Sequence, residues 1–401
     1  MYLAPKPIWE FLQSLPRRYT NMDALNIHWV NPTLAHLIPQ RSFHFGFPMA
    51  LSIILLWWQA FNRKQPRAAW LPGVLMGLLP LFHTHTFITL SLVGAIFMLI
   101  SVFRKHDRRA HLRYWLACGL IALPLAAPQL VYLLLSKVSV QTIRLHFGWM
   151  SDGENILWFW FKNLGFYIPL LITGLILWKK LHLRKRALVF YLPFGLLFGL
   201  CNLVLFSAFS YDSNKVLVYW FLLSLPFVAR LLMALYAAQS WWLKTFAFRL
   251  LLIGLIFSGS LNLWHEFQNN GWQELTAEEV ALAQEIRRQT ESRAVFLSAP
   301  IHNNLLTLAG RAVVLGYPGH VYSHGLDYLE VEKIIEQIYS GEDDGCMLLR
   351  QLNANYIVVG PHERSKYGEN IEAWFAERFP EFARTDNYVI FRFSMDEKSS
   401  S

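Results

Sequence analysis

Acidic side chains are scarce in the first two thirds of this chain: residues 1–265 hold 6 Asp+Glu against 24 Lys+Arg, while residues 266–401 hold 21 against 12. Charge is low overall too, at 16% of residues, where a soluble domain carries about 25%. Cysteine is limited to Cys118, Cys201 and Cys346, which excludes a disulfide framework and any paired-cysteine metal site. The N-terminal stretch lacks the continuous apolar core of a signal peptide, and the one Asn-x-Ser/Thr match, Asn31-Pro32-Thr33, is disallowed by its proline. No GxGxxG or GxxxxGK[ST] loop is present, so nucleotide binding has no support. The net charge of +9 does not point to nucleic acid either, because the basic residues fall in short loops between apolar runs.

What the chain has in abundance is hydrophobic surface, 54% of residues, with 16 Trp among them. Apolar runs of roughly 18 to 25 residues cross about 30 Å of hydrocarbon as helix. About eight such transmembrane helices are expected, near 44–62, 69–83, 86–103, 112–135, 157–177, 187–207, 216–236 and 246–264. Basic clusters alternate between them: Arg63, Lys64 and Arg67; Arg104, Lys105, Arg108, Arg109 and Arg113; Lys179, Lys180, Arg184, Lys185 and Arg186. By the positive-inside tendency these loops are cytoplasmic, and the Lys- and Arg-poor connections lie outside. The expected organisation is an outer segment 1–43, a helical membrane domain 44–264, a non-cytoplasmic α/β domain 273–395 and a disordered tail 396–401. A basic outer segment of that length, carrying Lys6, Arg17, Arg18 and Arg41, runs against the charge rule. The simplest remedy is that the chain is the C-terminal part of a longer protein.

From Gln273 onward the pattern becomes α/β. TAEEVALAQEIRRQT reads as a helix with Thr276 as N-cap and Glu279 three residues on. AVFLS, RAVVLG and NYIVVG read as buried strands, VEKIIEQIYSG and EDDGCMLLRQL as helices, and FARTDNYVIFRF as a closing antiparallel pair. The loop GYPGHVYSHGLDY, with His324 and Asp327, is rich in His, Tyr and Gly. It reads either as a loop docked on the membrane domain or as a contact with substrate.

Four polar clusters fall on the predicted outer face, where ionisable groups are costly unless paired, solvated or used. They are Gln40, Arg41 and His44; His83 and His85; Asp152, Glu154, Lys162 and Asn163; and Asp212, Asn214 and Lys215. Arg41, Lys162 and Lys215 suit the phosphate oxygens of a lipid-linked substrate. His83, His85 and Asp212 suit proton transfer or a divalent cation. The bland readings are helix capping or boundary solvation for the two His, an i,i+3 surface pair for Asp212 and Lys215, and snorkelling for Lys162.

PQRSFHFGFP, LLPLFHTHTF, FWFKNLG, the Asp212-x-Asn214-Lys215-VLVYW stretch and the later AVFLSAP, LAGRAVVLGYPGH and SHGLDY make the chain resemble the GT-C class of polytopic membrane glycosyltransferases, in particular family 39-like bacterial membrane proteins. The resemblance implies transfer of a sugar from a polyprenyl-phosphate donor at the outer face of a bacterial inner membrane, with the C-terminal domain in the periplasm. It also implies a carboxylate base and a divalent metal, Mg or Mn. That class carries its key acids in a first outer loop after a helix this chain does not show. Glu10 and Asp23 are the only acids before the first expected span, which leaves Asp212 or Asp152 as substitutes. The resulting expectation assigns Asp212, Asp152, His83 and His85 to catalysis. Arg41, Gln40, Lys162, Lys215, His324 and Asp327 are assigned to substrate binding, with the lipid bilayer and a polyprenyl-phosphate-linked sugar as partners. A transporter, suggested by Pro72, Gly73, Gly77 and Pro80 within one run, and a non-catalytic scaffold for the outer domain are the alternatives.

Overall fold

A computed structural model describes residue 10 and residues 21–64, 66–105, 107–135, 143–207, 209–237, 242–268, 273–323, 326–341 and 345–393. His324 and the expected tail 396–401 lie outside the described residues. The chain divides into two compact units that part between Asn270 and Gly271.

The first unit is a bundle of apolar helices: α1 Arg41–Asn62, α2 Trp70–Phe82, α3 Thr84–Val102, α4 Arg108–Leu135, α5 Ile156–Leu164, α6 Tyr167–Ile176, α7 Lys185–Cys201, α8 Asn214–Ala237 and α9 Trp242–Gln268. Among the described residues, five are long and apolar enough to cross a membrane: α1, α3, α4, the segment Ser210–Ala237 that contains α8, and Thr245–Phe267 within α9. The chain is a multi-pass helical membrane protein with a C-terminal α/β part.

The continuous span expected over 157–177 is corrected by the structure. It is two helices, α5 and α6, bent by 99° at a short break, so the count becomes six if that pair is one span. Gly165 causes the break: it sits at φ 55° and ψ −131°, a conformation that side chains with a Cβ rarely adopt. The helix expected over 69–83 is only 13 residues long, about 20 Å at the helical rise, short of the hydrocarbon thickness. It leans instead on α4. A Cβ at Gly73 would meet the Cys118 carbonyl at 2.9 Å, and one at Gly77 would meet Leu125 Cβ at 2.5 Å, so glycine permits the close approach.

Aromatic rings fill the middle of the bundle. Phe97 on α3 stacks on Trp115 of α4 at 5.2 Å and on Phe190 of α7 at 4.9 Å, and Trp57 of α1 meets Trp115 edge-on at 5.3 Å. At one end, β1 Arg144–Leu145 pairs antiparallel with β2 Val204–Leu205. That pairing holds the loop after α4 against the end of α7. Trp149 on this loop is fully buried, stacked on Trp160 at 5.3 Å.

The second unit is an α/β domain. Its elements are α10 Ala277–Gln289, β3 Val295–Leu297, α11 Leu305–Ala309, β4 Ala312–Val313, α12 Pro318–Ser323, α13 Leu329–Ser340, α14 Gly345–Gln351, β5 Tyr356–Val359, α15 Pro361–Tyr367, α16 Ile371–Ala376, β6 Glu381–Arg384 and β7 Val389–Arg392. The sheet order is β4-β3-β5-β7-β6, with β3 parallel to β4 and β5, and β7 antiparallel to β5 and β6. RAVVLG contributes only two strand residues, Ala312 and Val313. Strand periodicity sends alternate residues to two cores. Phe296, Tyr356 and Ile390 join Leu282 and Ile286 on one face, while Leu297, Ile357 and Phe391 join Ile335, Ile338 and Phe375 on the other, giving three layers. The capping box at Thr276 and Glu279 is present. Glu363, 3% exposed, ties the ends of β3 and β5 by accepting from Ala299 N at 2.7 Å and Gly360 N at 2.9 Å. Burial pushes its carboxyl above the ordinary carboxylate range.

Candidate functional site

The acids of the helical unit are few enough to follow one by one. Asp107 is held by two bonds of 2.7 Å from Arg104, and Glu154 by Lys162 Nζ at 2.8 Å. Asp23 and Asp152 are exposed, the former 3.5 Å from His28. Asp212 differs in the variety of its neighbours. It lies in the 3-10 turn Ser210–Ser213 that leads into α8, so the helix N-terminus favours its negative charge. Its Oδ1 is 2.8 Å from Lys215 Nζ, one turn along. Its Oδ2 accepts from Ser207 Oγ at 2.7 Å and lies 3.7 Å from His85 Nε2 on α3. The Asp212 and Lys215 side chains are 16% and 17% exposed and His85 is 22%, so the trio is sheltered yet open to a ligand.

His85 is aimed by a shell of polar and aromatic groups. His83, between α2 and α3, caps α3: its Nδ1 accepts from Thr86 N at 3.2 Å and lies 2.7 Å from Thr86 Oγ1. Thr86 Oγ1 is in turn 2.6 Å from the Tyr219 hydroxyl on α8. His83 thus serves as the N-cap of α3 through its Nδ1. Its ring lies 5.7 Å from that of His85 and edge-on to Phe43 at 5.2 Å. Gly46 of α1 makes room for it, since a Cβ there would fall 2.5 Å from His83 Cβ.

Behind Phe43 lies His36, in the π-helical turn Thr33–Leu37 and 2% exposed. Burial first, and the Lys215 charge next, push its imidazole down to about 4. The Gln40 amide reaches His36 Nδ1 at 3.4 Å and donates to the Ala35 carbonyl at 3.2 Å. Arg41 is exposed at the first position of α1, with no ion-pair partner among the described residues.

The third cluster works as a clamp. Asn163 Oδ1 accepts from both His28 N at 2.7 Å and Trp29 N at 2.8 Å, and Lys162 Nζ donates to the Leu25 carbonyl at 2.7 Å. Asn26, in left-handed conformation at φ 53°, donates to Glu154 at 2.9 Å and to the Ser151 carbonyl at 3.0 Å. These bonds fix residues 25–29 against α5. The substrate-binding role expected for Lys162 meets an ammonium already neutralised by Glu154. Asp152 is exposed at φ 47° in the turn before α5, and Lys215 pairs with Asp212 rather than with it. Two bonds link the clamp to the Asp212 turn: Trp149 Nε1 to the Ser210 carbonyl at 2.8 Å, and Asn214 Nδ2 to the His28 carbonyl at 3.4 Å. All four polar clusters thus connect at one end of the helices.

In the α/β unit, Asp327 is exposed and accepts from Leu329 N at 3.2 Å at the start of α13. Sequence reasoning missed His36, Ser207 and Tyr219. The only signal for each is a polar group inside an apolar stretch, which many buried hydroxyls share.

An apolar cavity of about 650 Å³ opens beside α8. Trp29, Tyr167, Phe221, Leu225, Leu232 and Leu255 line it, with Lys162 and Asn163 at its polar edge. Phe221 is six residues past Lys215, about 9 Å along the helix.

The donors near Asp212 do not fit a Mg or Mn centre. Among the described residues no group of three or more His, Cys, Asp and Glu is placed to hold a metal ion, and Lys215 already occupies one Asp212 oxygen.

No family model matches the chain, and no curated protein matches it. Among solved structures, the chain is similar to the Archaeoglobus fulgidus oligosaccharyltransferase tethered to an acceptor peptide containing the NVT sequon, at 11% identity and a TM-score of 0.47. It is also similar to the apo form of that enzyme, at 10% identity and a TM-score of 0.48. Both alignments cover 89% of this chain, which spans 57% of the length of those chains.

Proposed function

We propose that this chain is a GT-C type glycosyltransferase, or the C-terminal part of one, that transfers a sugar from a polyprenyl-phosphate donor at the outer membrane face. The observation that carries the reading is the Asp212 carboxylate set between Lys215, Ser207 and His85 at a helix end in an otherwise acid-poor membrane unit. A half-buried carboxylate with that retinue is suited to proton transfer beside a phosphate.

In this reading the donor's prenyl chain lies along the apolar cavity beside α8, and its phosphate sits at Lys215. The acceptor's nucleophilic atom attacks the anomeric carbon while the bond from that carbon to the phosphate oxygen breaks. The electron pair leaves with the phosphate, whose growing charge the Lys215 ammonium neutralises. The acceptor's proton passes to Asp212, and His85, 3.7 Å away, relays it to water. Arg41, exposed and unpaired among the described residues, serves the donor's phosphate as it approaches. The donor class, the outer face and the periplasmic position of the C-terminal domain belong to this proposal, as do an inner-membrane location and the domain limits at 44–264 and 273–395.

The test is transfer of labelled sugar from polyprenyl-phosphate hexoses in membranes carrying the full-length protein. Asp212→Asn and Lys215→Ala should each lower transfer by at least a hundredfold, about 3 kcal/mol in the barrier, with insertion unchanged. Wild-type rates in both would remove this site and favour the scaffold reading. The 99° break between α5 and α6 is a feature a transporter would share. Substrate uptake into proteoliposomes without any transfer product would favour that alternative.

A further inference from the structure

At the other end of α1, an open cavity of about 1470 Å³ is lined by eight Lys and Arg side chains and a single carboxylate, Asp107. The cations come from three separate places: Arg67 between α1 and α2, Arg108, Arg109 and Arg113 in the first turns of α4, and Arg186 at the start of α7. Asp107 is fully engaged by Arg104, and that bond, together with the Arg104 charge, holds its carboxyl down at about 2. Among the described residues the other seven cations have no carboxylate partner.

Two features make this arrangement unfavourable without an anion. Like charges converging on one concavity repel. Arg108 and Arg109 also open a 28-residue helix, where the partial positive charge of the exposed N–H groups disfavours cations. The positive-inside tendency explains why each loop is basic, but it does not require three loops to face one cavity.

We propose that this cavity binds an anion carrying two or more phosphate charges, the chemistry shared by a diphospholipid headgroup and a free diphosphate. The binding site is separate from the Asp212 site and stands whether or not the transfer reading does.

The test uses the full chain purified in detergent. Retention of cardiolipin against phosphatidylcholine is followed by native mass spectrometry, with inorganic pyrophosphate as competitor. Cardiolipin should be retained preferentially. The triple variant Arg108→Gln, Arg109→Gln, Arg113→Gln should weaken it on the order of a hundredfold, from about 1 kcal/mol per basic residue. Arg67→Gln with Arg186→Gln, from different loops, should weaken it about tenfold or more and guards against a misfolded triple variant. A control removes the same charge from the same predicted face outside the cavity: Lys179→Gln, Lys180→Gln, Arg184→Gln should leave retention unchanged. Displacement by pyrophosphate would assign the site to free diphosphate, and resistance to it would assign the lipid headgroup; either supports the site. Equal loss in cavity and control variants, or neither a preference for cardiolipin nor pyrophosphate retention that the cavity variants weaken, would overturn it.

Discussion

Asp212 keeps company with three different kinds of group, and each should leave its own mark on activity. On the proposed transfer reading, loss of the carboxylate would remove the base and loss of the Lys215 ammonium would remove leaving-group stabilisation, so the two variants should differ in sensitivity to the donor's phosphate. His36 offers a separate handle through pH. Its imidazole is buried neutral, so the folded state resists a proton that the unfolded chain accepts near its ordinary value of 6.5. The stability this provides is complete above that value and is lost as pH falls toward about 4. Thermal unfolding of the detergent-solubilised protein should therefore show a steeper loss between neutral pH and about pH 4 in the wild type than in His36→Asn. Equal slopes would mean that His36 is solvated.

At the scale of elements, two contacts hold the site together. Gly46→Ala would drive a methyl into His83 Cβ, now 2.5 Å from that position, and α1 would have to shift away from the α2–α3 turn. A cost of about 1–3 kcal/mol is expected, with reduced transfer because His83 caps the helix that carries His85. Differential scanning of the variant beside its transfer rate checks both parts. Asn163→Ala would free the N–H groups of His28 and Trp29 together, costing about 1–3 kcal/mol, and should raise amide exchange at residues 26–30 while leaving α8 unchanged.

The sequence announces some of these elements and hides others for physical reasons. Long hydrophobic runs mark α1, α3, α4 and α8, and Thr276 with Glu279 marks the start of α10. The break at Gly165 is hidden, because one glycine among 22 carries its meaning only through its φ and ψ. The clamp role of Asn163 is hidden too, since its partners lie some 135 residues away in the chain. The grouping of His85 with Asp212 is legible as residue types suited to proton transfer or a cation on one predicted face, but their 3.7 Å separation is not. The capping role of His83 was one of two readings that the turn allowed.

For the whole molecule, the charge asymmetry makes a topological prediction. A reporter enzyme active only outside the cytoplasm, fused after Ser401, should be active, and fusions within the basic connections near Arg67 and Arg186 should not. The opposite pattern would turn the molecule over and place the Asp212 site on the cytoplasmic face. It would also move the basic cavity to the outer leaflet, away from the anionic lipids of the inner one.

The bent pair α5–α6 has a consequence for the solvent around the protein. A rod of nine residues reaches only about 13 Å, so its far end stops partway through any layer of hydrocarbon thickness. Peptide groups at such a tip tolerate no bare contact with lipid tails, and must be met by neighbouring protein or by water drawn in from the rim. Wherever water is drawn in, the bilayer next to α5 is pinched, and an amphiphile arriving there has less oil to cross before its polar head is wet.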